Sequence, residues 1–314
     1  MSTTLPVSRA RSRLTTIAAL ISVLIVAMAA QCRPAAGQSV KDFRAKSPTL
    51  QRADSSRVLR IGVTEEYPLM SIYDKNSTAK ESQRWSGFDV AIARMLAREL
   101  GFSQPENVQF VPITTDKRIL SLQNGDVHLV VADFTMTDER RKHIRFAGPY
   151  LVTTPEVMIR KEDLGRIRNI DDLRKAKVCT TGASTTADML EAEHVPHTKV
   201  ARGAECAAGL KTGQFDAHCT DEVVIAGFLR GDDTLAKVDM PFTQTEPLGI
   251  GLPLDDPYLE ALLAHYLRKQ LALGSASEWQ AAYNAFLTAS LGPKEQPQLL
   301  PGYPELVDQE NSRG

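Results

Sequence analysis

Apolar residues along this chain fall into short blocks whose spacing switches repeatedly between that of a strand and that of a helix. VLRIGVT (58–64) is a short β-branched run. GFDVAIARMLARELG (87–101) then sets Phe88, Ile92, Met95, Leu96 and Leu100 on one helical face, with Gly101 to stop the helix. VQFVPI alternates as a strand, DKRILSLQNG reads as a short helix closed by Gly125, and DVHLVVAD as a buried strand. A second series starts at KVCTT, followed by a helix from about Ser184 to Glu193. AECAAGLKTG, FDAHCTD and EVVIAGFLRG continue it as helix, strand and helix, and DDPYLEALLAHYLRKQLALG and ASEWQAAYNAFL close it as two amphipathic helices. Strands alternating with helices predict an α/β protein with largely parallel sheets. On either side, residues 32–56 are polar with no apolar period and read as a flexible linker. Residues 291–314 read as a Pro-rich, unpacked tail.

The start of the chain follows another logic. Arg9, Arg11 and Arg13 are its only ionisable side chains before residue 32, and LTTIAALISVLIVAMAA follows without a charge. This is the layout of a signal peptide over 1–31, and it predicts export. Cys32 directly after the apolar run is a candidate for lipidation, although Gln31 stands where a small residue is usual. Cleavage near the PAAG stretch and an uncleaved anchor remain the alternatives. The formal net charge of −1 over 314 residues gives no support to nucleic-acid binding. Beyond Cys32 the cysteines are Cys179, Cys206 and Cys219, so in an oxidising compartment one pair is expected and one thiol is left over. No Cys/His spacing suggests a metal site, and no cofactor is expected.

Residues 136–150, MTDERRKHIRFAGPY, crowd four Lys or Arg side chains into fifteen positions. Thr137 suits a helix N-cap, and Asp138 and Glu139 suit a first turn. Arg140 does not, because the helix N-terminus repels a cation. Either it is a solvated surface arginine, or helix terminus and guanidinium converge on something negative. A weak internal echo adds to the question. LQNGDVHLVVAD and LKTGQFDAHCTD both run from Leu through Gly to a terminal Asp, which sets Asp133 and Asp221 at the carboxyl ends of two strands. Ligands of open α/β sheets bind beyond such ends, although Asp also simply caps turns there. Cation and anion placed together suggest a zwitterion.

These stretches resemble the bacterial extracellular solute-binding proteins of family 3, the polar amino-acid receptors of ABC importers. The resemblance rests on SGFDVAIARMLARELG, on LQNGDVHLVVADFTMTDERRKHIRFAGPY, on the Gly-Ala-Ser-Thr loop after KVCTT and on FDAHCTDEVVIAGFL. It runs in order from about Val58 to Leu287, and the TxTxxR…FAGPY block is its most specific part. It implies a two-lobed periplasmic-binding-protein fold of type II, with two mixed, mostly parallel sheets joined by two crossing strands. Lobe one would comprise 57–153 plus 247–290 and lobe two 154–246, with crossings near LVTTPEVMI and TQTEPLGIGL. Lobe closure on ligand is the expected motion.

Residue by residue, the resemblance implies that Arg140 grips a ligand α-carboxylate, Thr135 offers its hydroxyl to the head group and Asp221 receives the α-ammonium. Ser184 and Thr185 belong to the loop whose backbone amides complete the carboxylate site. Arg118 matches an arginine of the glutamate-type branch that faces a side-chain carboxylate, and Thr115, Tyr67 and Trp85 are candidates for the pocket wall. Cys179 and Cys206 match the cysteine pair of the actinobacterial glutamate-type branch, which implies a disulfide. Asp133 departs from the pattern, since relatives place a small or hydroxyl residue there. If it faces the ligand, it opposes an acidic side chain and favours a neutral or cationic one.

The function so implied is non-enzymatic: capture of a polar amino acid, glutamate, aspartate or their amides, and delivery to the permease of an ABC transporter. A monomer on the outer face of the membrane is expected, held there by Cys32 if that residue is lipidated. The alternative is an amino-acid sensor reporting to a membrane signalling partner. A dehydratase on the same fold is a third reading, but no spacing supports a catalytic pairing of Glu65 or Glu66 with His128.

Overall fold

The computed structural model describes residues 38–240 and 242–308. The expected signal peptide over 1–31 and the lipidation candidate Cys32 lie outside the described residues. Among the described residues no helix is long and apolar enough to cross a membrane.

Two five-stranded sheets organise the chain, each the core of one lobe. In chain order the strands are β1 (Leu59–Val63), β2 (Glu66–Tyr67), β3 (Ser71–Tyr73), β4 (Trp85–Ser86), β5 (Val108–Pro112), β6 (Leu129–Val130) and β7 (Arg145–Thr153). Then come β8 (Pro155–Arg160), β9 (Val178–Thr181), β10 (His197–Val200), β11 (Ala217–Asp221), β12 (Leu235–Val238) and β13 (Glu246–Leu252). Lobe one has the strand order β5-β1-β6-β13-β7 and lobe two the order β10-β9-β11-β8-β12, while β2, β3 and β4 form a small separate sheet. In each large sheet the first three strands run parallel and the last two pair antiparallel. The chain leaves lobe one between Thr153 and Pro155 and returns where Glu246 pairs with Thr153. Both passages therefore lie side by side, as a hinge requires.

The helices are α1 (Val40–Lys46), α2 (Pro48–Ser56), α3 (Phe88–Glu99), α4 (Arg118–Gln123), α5 (Asp138–Arg141), α6 (Ile170–Leu173), α7 (Thr185–Ala192) and α8 (Gly203–Lys211). They continue with α9 (Glu222–Arg230), α10 (Pro257–Leu273), α11 (Glu278–Phe286) and α12 (Thr288–Leu291). Phe88, Ile92, Met95 and Leu96 of α3 are buried in lobe one beside Trp279 and Tyr283 of α11. Lobe two has its own apolar clusters on the two faces of its sheet, one built on Val157, Ile159 and Val178, the other on Met158, Leu210 and Ile225.

Two expectations for the flanks need correction. The linker expected over 32–56 is not flexible from residue 40 onward, because α1 and α2 occupy it and pack on lobe one. Ser47 caps α2 through its hydroxyl, which also donates to Asp256 Oδ2 at 2.6 Å, and Leu50 and Ala53 are fully buried. The two apolar side chains sit three positions apart, so a segment polar on average still carries a buried stripe. The tail expected to be disordered from 291 is ordered through 308. It follows directly on α12 and runs extended along lobe one, where polar groups reach backbone atoms. Gln296 Nε2 donates to Leu267 O at 2.8 Å, the Leu300 amide to Gly148 O at 3.1 Å and the Tyr303 hydroxyl to Phe146 O at 2.9 Å. Its prolines suit an extended course that makes no hydrogen bonds of its own.

Candidate functional site

The loop after β6 is held in an unusual backbone geometry. Asp133 has φ of +48°, a left-handed conformation that non-glycine residues adopt mainly as Asn or Asp. Its N–H donates to Asp89 Oδ2 at 3.0 Å, and its carbonyl accepts from Arg118 Nη1 at 2.6 Å. Asp89, in the first turn of α3, accepts at its other oxygen from the Tyr150 hydroxyl at 2.7 Å. Burial pushes the Asp89 carboxyl up to about 7. The loop is thus clamped from two sides, and the Asp133 side chain turns into the space between the lobes.

Arg118 is almost fully buried at 5% exposure. Its Nε donates to Thr115 O at 3.0 Å and its Nη1 to Ala132 O at 3.2 Å as well as to Asp133 O. The guanidinium lies 4.3 Å from the centre of the Phe134 ring. Burial, and after it the charge of Arg140, brings its pKa down to about 9. Arg140 sits in α5, whose N-cap Thr137 accepts from the Arg140 amide at 3.2 Å. Its Nη1 donates to Thr135 O at 2.7 Å, within lobe one, and its Nη2 to Ala183 O at 3.1 Å, across in lobe two. Thr135 itself meets Thr185 of lobe two, hydroxyl to hydroxyl, at 3.4 Å.

Lobe two contributes two helix starts. After β9 the chain turns through Ala183 at φ of +56° into Ser184, whose hydroxyl donates to Thr181 O and caps α7 at Ala187 N. Asp221 ends β11 and occupies the N-cap of α9, yet its carboxylate caps nothing. Instead it meets the Asp133 carboxyl, and one oxygen of each acid has no hydrogen-bond partner. Burial pushes both up, Asp133 to about 6 against the pull of Arg118, and Asp221 well above the usual carboxylate range with Asp133 adding to the effect.

A cavity of about 20 Å³ lies where these groups meet. Tyr67, Thr115, Arg118, Asp133, Thr135, Arg140, Ser184, Thr185 and Asp221 all line it, together with Thr181, Thr186 and Thr220. Trp85 does not; it packs against Tyr73 and Phe110. One water fills so small a space, so anything larger enters only if the lobes part. Contacts across the cleft keep them together. Arg202 bonds Glu65 and Glu66 at 2.6 Å each, and Tyr67 packs edge-on to Phe228.

Other sequence candidates go elsewhere. His128 accepts from the Arg60 amide at 3.0 Å and lines no part of the cavity. Burial takes its pKa down to about 4. With Glu65 and Glu66 engaged by Arg202, no acid–base pair with His128 forms. Cys179 and Cys206 form a disulfide with Cα atoms 5.5 Å apart, tying β9 to α8, and Cys219 is a buried free thiol. Among the described residues no group of three His, Cys, Asp or Glu side chains is placed to hold a metal ion. Sequence reasoning missed Glu246, fully buried at the start of β13, whose Oε1 accepts from Gln244 while Oε2 has no partner. Burial raises its pKa, opposed by Thr135, Thr185 and Arg140. A larger groove of about 470 Å³ lies beside Arg94, Arg98 and Phe102, but Arg94 there is bound to the carbonyls of Ser82 and Trp85.

A donor fork on one lobe and a carboxyl pair reaching across both suit a molecule that carries a carboxylate and an ammonium together. Residues 59–300 match the family model of bacterial extracellular solute-binding proteins, family 3. The ABC transporter glutamine-binding protein GlnH of Bacillus subtilis is 28% identical over 83% of this chain and 93% of its own. The glutamate-binding protein GluB of Corynebacterium efficiens is 27% identical over 67% and 73%. Among solved structures, the ancestral amino-acid-binding protein AncCDT-1, a precursor of cyclohexadienyl dehydratase, superposes with a TM-score of 0.67 at 28% identity. That match covers 76% of this chain and 99% of the ancestral one.

Proposed function

The chain belongs to the bacterial extracellular solute-binding proteins, family 3, and from that premise we propose that it captures a polar amino acid between its lobes and delivers it to an ABC transporter. The observation that carries this reading is the meeting of Arg140 and Asp221 on one cavity, the acid with an oxygen that nothing in the protein satisfies. Buried polar atoms are almost always paired, and an orphaned carboxylate oxygen asks for a donor from outside. An α-ammonium supplies that donor, and an α-carboxylate takes the Arg140 donors now resting on Thr135 and Ala183. The Thr135 and Thr185 hydroxyls flank the same spot. Opening parts the Arg140–Ala183 and Thr135–Thr185 contacts, and ligand restores equivalent ones on closure.

Capture rather than turnover follows from what the cavity holds. Its two acids, Asp133 and Asp221, face each other, and His128, the base considered in sequence, lies outside it. The relatives named above are described as binding proteins, for glutamine and for glutamate. Attachment through a lipidated Cys32 and export by residues 1–31 complete the proposal for location. Titration of the purified protein with the common amino acids, alongside Arg140→Ala, tests it. Saturable binding that the variant loses supports the reading, and undiminished affinity in the variant removes it.

A further inference from the structure

We propose that Asp133 is a specificity-determining residue, excluding amino acids with acidic side chains and admitting those whose side chain ends in a neutral donor, an amide above all. This deepens the head-group reading and rests on it. Three observations carry it.

The Asp133 carboxyl is turned into the cavity. Its backbone is pinned on both sides, at N by Asp89 and at O by Arg118, in the left-handed region, and its side chain is part of the cavity wall. It is 9% exposed and its Oδ1 is unsatisfied.

The cation nearest to it has two of its three nitrogens already engaged. Arg118 gives Nε and Nη1 to the carbonyls of Thr115, Ala132 and Asp133 and sits 4.3 Å from the centre of the Phe134 ring, an arrangement that braces the loop. Arg118 therefore balances Asp133 itself instead of offering a free fork to a ligand carboxylate.

Charge then decides. With Arg140 and Asp221 assigned to the two head-group charges, Arg118 and Asp133 remain as a balanced pair, and Glu246 adds a buried anion beside Arg140. A second ligand carboxylate would enter a closed space lined by Asp133 and Asp221, with Glu246 buried near Arg140. Like charges brought together without water are strongly disfavoured, and such repulsion is an effective way to reject a near-identical competitor. A side-chain amide instead donates to the unsatisfied Asp133 oxygen.

The test is a titration of the intact protein and of Asp133→Asn with glutamine, asparagine, glutamate and aspartate at about pH 7.5, where Asp133 is ionised. Asparagine tolerates the same backbone conformation, and a thermal melt verifies that the variant is folded. We expect the wild-type protein to prefer the amide over the matching acid by roughly tenfold or more, and the variant to lose most of that ratio by gaining affinity for the acid. An acid bound as tightly as its amide by the wild-type protein overturns the inference without any variant, and so does an unchanged ratio in Asp133→Asn. If an acid is preferred and Arg140→Ala abolishes its binding, the head-group reading stands and only the role of Asp133 falls. If the wild-type protein binds no amino acid, both fall.

Discussion

Arg140, in lobe one, donates through Nη2 to the carbonyl oxygen of Ala183, in lobe two, at 3.1 Å. One side chain thus belongs to the site and to the closed state at once. Ala183 is held at φ of +56° in the turn that leads into α7, so its carbonyl is presented to the cleft by the backbone itself. Replacing Arg140 with Ala or Lys removes the planar fork that can serve both partners.

For Arg140→Ala we expect ligand affinity to fall by about 3–5 kcal/mol, since one charge of a buried pair is left alone. Calorimetry on that variant would show a drop of roughly two to three and a half orders of magnitude, with the melting midpoint little changed.

Closure should be separable from folding at Gly227. This glycine in α9 of lobe two abuts Pro68 of lobe one, and a Cβ there would overlap the Pro68 carbonyl oxygen. Neither lobe needs that contact for its own core. Gly227→Ala is expected to hold the lobes apart, to raise the radius of gyration in scattering and to weaken ligand binding more than roughly tenfold. A closed, tightly binding variant would show that the lobes tolerate the added methyl.

Arg202 bridges the lobes by its pairs with Glu65 and Glu66, at 2.6 Å each. The arginine is 40% exposed, so each pair contributes on the order of 0.2–1 kcal/mol and is weakened by salt. Arg202→Ala should weaken binding a few-fold at low ionic strength and match the wild-type protein at high salt. An equal deficit at both would point to packing instead of charge.

The Cys179–Cys206 disulfide closes a loop with a sequence separation of 27 within lobe two. In the chain-entropy account that restricts the unfolded state by about 3.5 kcal/mol. Reductant, or Cys206→Ala, is therefore expected to lower the melting midpoint by several degrees, and mass spectrometry of the oxidised protein should find Cys219 as a free thiol.

Acid should help the ligand-free protein over one range of pH. Asp89 and Asp133 are raised to about 7 and about 6 by burial, above their unfolded values. Groups so shifted contribute stability that is full below about pH 4 and lost as pH rises through 6 to 7. Melts from pH 4.5 to 7.5 should show that loss, and Asp89→Asn, whose oxygen can still accept from the Asp133 amide while its NH2 donates to the Tyr150 hydroxyl, should flatten it. A variant profile parallel to the wild-type one would assign the slope to other groups.

What could be read in sequence was local. Asp133, Thr135 and Arg140 lie within eight positions of one another, and the strand end and helix start that position them are written in the same stretch. Asp221 was legible because it ends a strand just before a helix. Glu246 was not. Its stretch shows only a crossing strand, and the hydroxyls that act on its carboxyl, Thr135 and Thr185, lie far away in the chain. Arg118 was visible as a candidate, but not that its donors turn to three backbone carbonyls.

The flanks failed for a related reason. The Ser47-Pro48 start of α2 is a fair helix signal, yet what fixes it is Asp256, 209 positions away from Ser47. The segment after α12 has no period at all, since its hydrogen bonds run to β7 and α10 instead of within itself. Composition reports such segments as loose whenever their partners are distant.

The central claim is that both charges of an amino-acid head group are met here at once, by Arg140 and by Asp221. Calorimetric titration with glutamine, and with its analogues lacking either the α-ammonium or the α-carboxylate, tests it most directly. The account predicts saturable binding of glutamine and loss of roughly 3 kcal/mol or more for each analogue. An analogue lacking one charge that binds as well as the amino acid would contradict it.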